Sequence, residues 1–405
     1  MKHKLFSTIV LTISALTFSS AASAADDVIS DKYTRSSIYS ILVNHTEQRF
    51  AGEIRSQFLN IPTPDQYNDH DLSVKVIDIS KNANYSDSID NFIKNNYIAS
   101  RMVAKWFNRD MLTGECSMDL IKERGVYNAS EMDKEIALRS PRGISMLEDA
   151  GEELIGQSFL LVNEISYIDK GKKSKIFGSA LKIAGSIAGN FVPGVSSLTD
   201  NLGDMISSLK GFKVKITTRL YQLQWNDEHS GTFYKMCYTD VPDEDKRQAF
   251  EDYRGQFSLV YIGSVESAGS TTSFMGINEE EPLLMVRKAC QRALDDNVAD
   301  LQKKYDQFRV KAPLKVGADG VLTAAIGKKE GITPDSKFEV LEAREKNGKI
   351  EYKKVGEVQA IDKKIWDNRF MAEEEQAYGA TFGATTFKKL SGNNFYSGLL
   401  IRAIN

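Results

Sequence analysis

The chain has 405 residues, 41% of them apolar and 10% aromatic, which suffices for two or three packed domains and excludes a disordered protein. Its formal charge of −3 comes from 52 basic and 55 acidic residues spread along the chain, so no nucleic-acid footprint is present. Three cysteines, Cys116, Cys237 and Cys290, allow one disulfide but exclude a disulfide scaffold.

Residues 1–24 start basic (Lys2, His3, Lys4), run apolar over 5–18 and end in small residues, Ala22-Ser23-Ala24, the pattern of a secretory signal peptide. The apolar run is too short to span a bilayer, and no other stretch is long enough to do so. Cleavage after Ala24 removes Lys2 and Lys4 and takes the charge to −5. No cysteine lies near the new terminus, so the expected product is not a lipoprotein. The expected location is the periplasm, the outer membrane or the medium.

Residues 25–70 form an amino-terminal segment that joins an α/β domain over 71–309. A strand is expected over 39–43 and a helix over 45–59, stopped by Ile61-Pro62-Thr63-Pro64. Alternation predicts a strand over 71–80, and three-to-four spacing predicts a helix over 88–108 with a break near Asn95-Asn96. A short strand over 118–121 precedes a helix opened by Ser130 as N-cap. Alternating strands and helices point to an α/β fold with a mixed sheet.

A helix over 142–156 leads into a strand from Ser158 to Ile165, and Val214 to Trp225 alternates as a second strand. Asn226-Asp227-Glu228 and Ser230-Gly231 suggest a turn, with strands over 232–238 and 256–263 behind it. Glu281-Pro282 opens the longest helix, which runs to 308. Its apolar face of Val286, Cys290, Ala293, Leu294, Val298 and Leu301 makes Cys290 a buried thiol and the helix a natural domain boundary. Residues 310–405 change character: short strands over 321–326, 337–343, 350–352 and 357–361, the hairpin signal Glu345-Lys346-Asn347-Gly348 and a tail over 378–404 indicate a small all-β, SH3-like barrel.

The two strands at the centre of the α/β domain are separated by an unlike insertion, 170–211, read as helical. Ile176, Phe177, Leu181, Ile187 and Phe191 form one apolar stripe, which contains the small-residue spacing Gly185 to Gly189. Val192-Pro193-Gly194 breaks it, and Leu198 and Leu202 lie on a second amphipathic helix. These are the membrane-facing or partner-facing candidates. Two readings stand: a helical hairpin folded on its own domain or a neighbouring subunit, and an interfacial helix whose Lys172, Lys173, Lys175 and Lys182 meet anionic headgroups.

Catalysis is hard to assemble from this chain. His45, His70 and His229 are scattered, and no H-E-x-x-H, paired C-x-x-C or G-x-S-x-G is present. Residues 320–329 imitate a phosphate loop, but no Ser or Thr follows the lysine, so a barrel strand and turn is expected. The acidic runs 279–281 and 373–375 suit solvated charge, and Phe387, Phe395 and Tyr396 suit barrel packing rather than a glycan platform. No cofactor or metal is expected.

Leu154-Ile155-Gly156-Gln157-Ser158 entering the strand to Ile165 is similar to a family segment in which a helix ends in a Gly-Ala-Asp turn. Ile216 to Tyr221 with Ser230-Gly231-Thr232 resembles the strand and Thr-Gly-Glu turn that follow, and Glu281-Pro282-Leu283 resembles the opening of the family's late helix. The order of parts resembles the curli-assembly (CsgG-like) envelope superfamily, which includes the amino-terminal domain of the Tol-system propeller protein and the middle domain of flagellar assembly protein T. The last also ends in a small β-barrel. In the curli channel the corresponding insertion is a membrane β-hairpin. The resemblance implies a non-enzymatic, oligomer-forming envelope scaffold or assembly accessory with protein partners, self-association or peripheral membrane contact. Two other classes remain open, a module binding glycan or peptide and an envelope hydrolase.

Overall fold

The computed structural model describes residues 35–79, 85–168, 212–270, 283–309, 311–347, 349–372 and 383–404. The expected signal peptide, the 170–211 insertion with Ile176, Phe177, Leu181, Ile187, Phe191, Leu198 and Leu202, and the acidic runs lie outside them.

The first sheet is built around β1 (Arg35–His45), longer at both ends than its alternating centre suggests. Ile38 and Leu42 are buried on one face and Tyr39, Ile41 and Val43 on the other, the signature of a strand covered on both sides. The chain then turns into α1 (Ala51–Phe58). The helix starts later than expected because Phe50 adopts a left-handed conformation, φ 64°, which a helix interior does not accommodate. Strands β2 (Tyr67–Asp69) and β3 (Val76–Ile79) both run parallel to β1, on the same edge but at different heights. The region expected as one strand over 71–80 is thus extended only in its second half.

The expected helix over 88–108 is two helices, α2 (Tyr85–Asn95) and α3 (Ile98–Trp106), hinged at Tyr97 with φ 49°. The strand expected over 118–121 is instead the start of α4 (Asp119–Asn128), opened by the Ser117 hydroxyl, which accepts from Asp119 N at 3.0 Å. Tertiary packing decides that choice: α4 lies against α6 (Ser145–Glu153) so closely that a Cβ on Gly125 or Gly151 would meet a carbonyl oxygen at 2.2 or 2.0 Å. Between them α5 (Glu131–Arg139) carries the expected cap, with Ser130 and Asp133 forming a reciprocal capping box.

Strand β4 (Phe159–Tyr167) pairs parallel to β1, and β5 (Lys213–Leu223) pairs antiparallel to β4. What looked like a turn and strand over 226–238 is α7 (Asp227–Met236), whose Asn226 side chain accepts from His229 N at 3.0 Å. Phe233 and Cys237, both fully buried, satisfy a strand alternation and a helical i, i+4 step equally well, so local pattern could not decide. A further helix, α8 (Glu244–Tyr253), precedes β6 (Leu259–Ser270), which closes the sheet antiparallel to β5. The order is β2-β1-β4-β5-β6, with β3 also on β1.

Helix α9 (Leu284–Lys304) has 21 residues, about 31 Å, and ends before the expected 308 where Tyr305 turns extended. It buries more than its apolar stripe: Lys288, Gln291, Arg292, Asp295 and Asn297 are all buried. One side packs on the six-stranded sheet, where a Cβ on Gly269 would strike Ala289 O at 2.1 Å. The other side meets the second sheet's loops: Arg292 donates to Phe370 O at 2.8 Å and Lys288 to Met371 O at 3.4 Å.

The second sheet comprises β7 (Lys311–Pro313), β8 (Lys315–Val316), β9 (Leu322–Ala324), β10 (Lys337–Lys346), β11 (Lys349–Ala360), β12 (Thr385–Gly392) and β13 (Leu400–Ala403). All its pairings are antiparallel, in the order β7-β13-β10-β11-β12-β9-β8, a nearly closed barrel around Leu314, Val340, Val358 and Ile401. The expected hairpin is present, with Lys346 paired to Lys349 and Asn347 at φ 54°. The two strands expected over 350–352 and 357–361 are one strand, β11, carrying a register shift near Gly356, where a Cβ would meet Ser391 O at 2.5 Å.

Candidate functional site

Three places in the α/β part hold more chemistry than packing requires. The first is the root of the 170–211 insertion. Tyr167 pairs with Val214 and Ile168 N donates to Lys213 O at 2.8 Å, so the chain leaves and re-enters the fold at one point. Phe50 packs edge to face on both Tyr167 and Phe212, which lie tilted by 30° to each other, all with centroids 5.0 to 5.5 Å apart. The Gln48 amide spans the same corner, donating to Ile165 O at 2.9 Å and accepting from Tyr167 N at 2.7 Å.

The second is a buried polar cluster under β1. Arg124 donates to the Ser37 hydroxyl and to His70 Nδ1, the latter at 3.3 Å, and its guanidinium lies 4.5 Å from the Trp106 ring centre. His70 Nε2 donates to Met102 O at 2.9 Å, and Trp106 Nε1 donates to Ser158 Oγ at 2.6 Å. Burial pushes the His70 imidazole down to about 3, and the Arg124 guanidinium opposes its protonation as well. The ring is therefore neutral at physiological pH and serves as a fixed donor and acceptor.

The third is a cavity of about 380 Å³ on the α9 side of the sheet. It opens because β2 and β3 pair with opposite ends of β1 and leave a window beside Ser40. Phe58, Leu161 and Val298 form apolar walls, the 59–64 segment with Pro62 and Pro64 forms the rim, and Asn163 and Asp295 supply polar groups inside. Asn163 is held by Thr218, which donates to its Oδ1 at 2.8 Å, and Thr218 in turn accepts from Asn297 Nδ2 at 2.8 Å. Asp295 is 8% exposed, and its Oδ2 is buried without a hydrogen-bond partner. Burial pushes its carboxyl up to about 7; Lys329 pulls the other way, while Glu330, Asp296 and Asp65 reinforce the rise. A larger cleft of about 1110 Å³ lies between β6, α9 and the barrel, lined by residues of both signs including Asp300, Lys303 and Glu330.

The structure keeps the three histidines apart. His45 contacts Glu164 at 3.0 Å, His70 lies in the cluster under β1, and His229 bonds Asn226 at 2.7 Å. Among the described residues no group of three His, Cys, Asp or Glu side chains could hold a metal ion. The cysteines are free and buried, and burial pushes the Cys290 thiol up to about 12. Residues 320–329 form β9 and a short 3-10 turn in which Lys328 pairs with Asp367 at 3.0 Å. Phe387 lies in the barrel core and Phe395 packs against it, while Tyr396 donates to Glu342 at 2.9 Å. No described helix is long and apolar enough to cross a membrane.

Asp295 and Asn163 were not singled out from sequence. Asp295 falls beside the apolar stripe of α9, and only the packing of distant residues over that flank, Ser40, the 59–64 segment and Asn163 on one side and Lys329 and Glu330 nearby, turns it into an interior. Comparison with protein-family models and with curated proteins finds no match.

Proposed function

We propose that this chain is a non-enzymatic protein of the cell envelope that acts as a scaffold or accessory in an assembly or secretion system. The observation that carries this reading is the insertion root. Residues 169–211 are strung between the adjacent ends of an antiparallel strand pair, clamped by Phe50, Tyr167 and Phe212, so they can present a partner-facing or membrane-facing element without altering the register of the sheet. The order of strand, insertion, strand and late helix suits the curli-assembly type of domain, and the nearly closed second sheet suits an SH3-like barrel behind it. In this reading residues 1–24 direct export to the periplasm or outer membrane, and Ile176, Phe177, Leu181, Ile187, Phe191, Leu198 and Leu202 form the contact face of a helical insertion, towards protein partners, a second copy or a membrane surface.

The test is cell fractionation and sizing of the full protein beside a variant in which residues 172–210 are replaced by a short Gly/Ser linker. Recovery of the full protein in the outer membrane or a large oligomer, with the variant a soluble monomer, is the expected result. Two soluble periplasmic monomers would overturn the assembly reading.

A further inference from the structure

A carboxyl oxygen buried with no donor is costly enough that native interiors rarely keep one, and leucine would fit the same helix position without that cost. Asp295 keeps such an atom on the wall of a cavity large enough for a small molecule. We propose that this cavity binds a small organic cation, a primary amine or guanidinium on a short apolar stem, with the cationic head on the Asp295 carboxylate and the stem along Phe58, Leu161 and Val298.

The sign of the ligand follows from the groups around Asp295. The positive side chain acting on it is Lys329, which is already engaged by Asp65 at 3.8 Å, while Glu330, Asp296 and Asp65 are all acidic. At the rim Asp69 adds another carboxyl, and Lys75 is paired with Asp71 at 3.1 Å. An anion entering this space would meet an excess of acidic groups in a desolvated setting, whereas a cation restores the charge balance and supplies the missing donor. The shape agrees: the apolar walls accept a hydrocarbon stem, and the proline-flanked rim gives a mouth that is already formed. Binding of a cation to a carboxyl that holds its proton releases that proton, so affinity rises with pH across the Asp295 titration. This inference goes beyond the assembly role and does not depend on it.

The experiment is calorimetric titration of the full chain with agmatine and with benzylamine, and with butyrate as an anionic counterpart, at about pH 5.5 and about pH 8.5. The expected result is saturable amine binding at the higher pH that weakens about tenfold or more at the lower, with no butyrate binding at either. Asp295→Asn is expected to lose about tenfold or more in amine affinity at the higher pH while melting no earlier than the unsubstituted chain. Asp300→Asn, one turn further along the same helix and facing the other cleft, is expected to change affinity by less than about twofold. Thr63→Trp narrows the mouth from the loop without touching Asp295 and is expected to weaken binding as well. No saturation by either amine up to about 20 mM at the higher pH would overturn the proposal. So would amine binding indifferent to Asp295→Asn, or butyrate binding that strengthens on acidification, which would mean that the cavity takes a neutral acid against a protonated carboxyl.

Discussion

The barrel closes over Leu314, Val340, Val358 and Ile401, with Thr385 as a buried polar side chain beside them, its hydroxyl donating to Ile326 O at 2.5 Å. The α/β part buries Ser37, His70, Arg124, Asn163, Thr218, Asp295 and Asn297. Aliphatic interiors tolerate many exchanges of similar volume, whereas each polar atom inside needs a partner at a fixed place. The first solution is generic. The second specifies its own geometry, and at Asp295 a carboxyl oxygen without a partner faces a cavity, which marks a place kept for something other than stability.

The contrast can be broken most severely at Trp106. Trp106→Ala is expected to cost about 4 kcal/mol in urea unfolding, because it removes buried volume and strands the Ser158 hydroxyl, against about 3 kcal/mol for Leu314→Ala in the barrel. A larger loss for the barrel substitution would contradict it. Asn297→Leu keeps a similar volume and removes the donor to Ile216 O and Thr218 together with an amide oxygen that has no partner, and about 1 kcal/mol of destabilisation is expected from the same measurement.

The pH dependence of stability separates Asp295 from His70. Asp295 keeps its proton to about 7 in the fold but gives it up near 3.8 when unfolded, so its contribution is intact below 3.8 and is lost as pH rises towards 7. His70 runs the other way: held neutral down to about 3 against 6.5 unfolded, its contribution is intact above 6.5 and is lost as pH falls. Asp295→Asn removes the first effect alone. The variant is expected to gain about 1 to 2 kcal/mol near pH 8 and then to lose stability between 6.5 and 4 more steeply than the unsubstituted chain. Parallel pH profiles for the two proteins would show that Asp295 ionises normally in the fold. The smallest effect is expected for replacing residues 172–210 with a Gly/Ser linker. Because Tyr167 and Val214 already pair, shortening the connection alters stability by less than about 1 kcal/mol, read by thermal melting.

Strong periodicity and strong caps were legible in the sequence. The β4 and β5 strands, the Ser130 cap, the hinge near Asn95-Asn96 and the Asn347 hairpin all follow from interactions within a few residues. The failures share one cause. At Thr232 to Tyr238 two periods fit the same side chains, and over 118–121 a short apolar stretch serves strand or helix alike. Contacts with Phe107, Trp225 and Phe250 around Phe233, and the Gly125 to Gly151 approach, make both helical.

The sequence alone determined that apolar patterning alternates between strand and helix before Val310 and becomes strand-only after it, because side-chain periodicity is a local property of the backbone. Only the tertiary structure decided that α9 is enclosed from both sides. Its polar flank carries no local signal of burial, and the second sheet that covers it comes later in the chain. The cavity beside Asp295 is likewise a tertiary product, because Ser40, the 59–64 segment, Leu161 and Asn163 that line it are all distant from Asp295 in sequence.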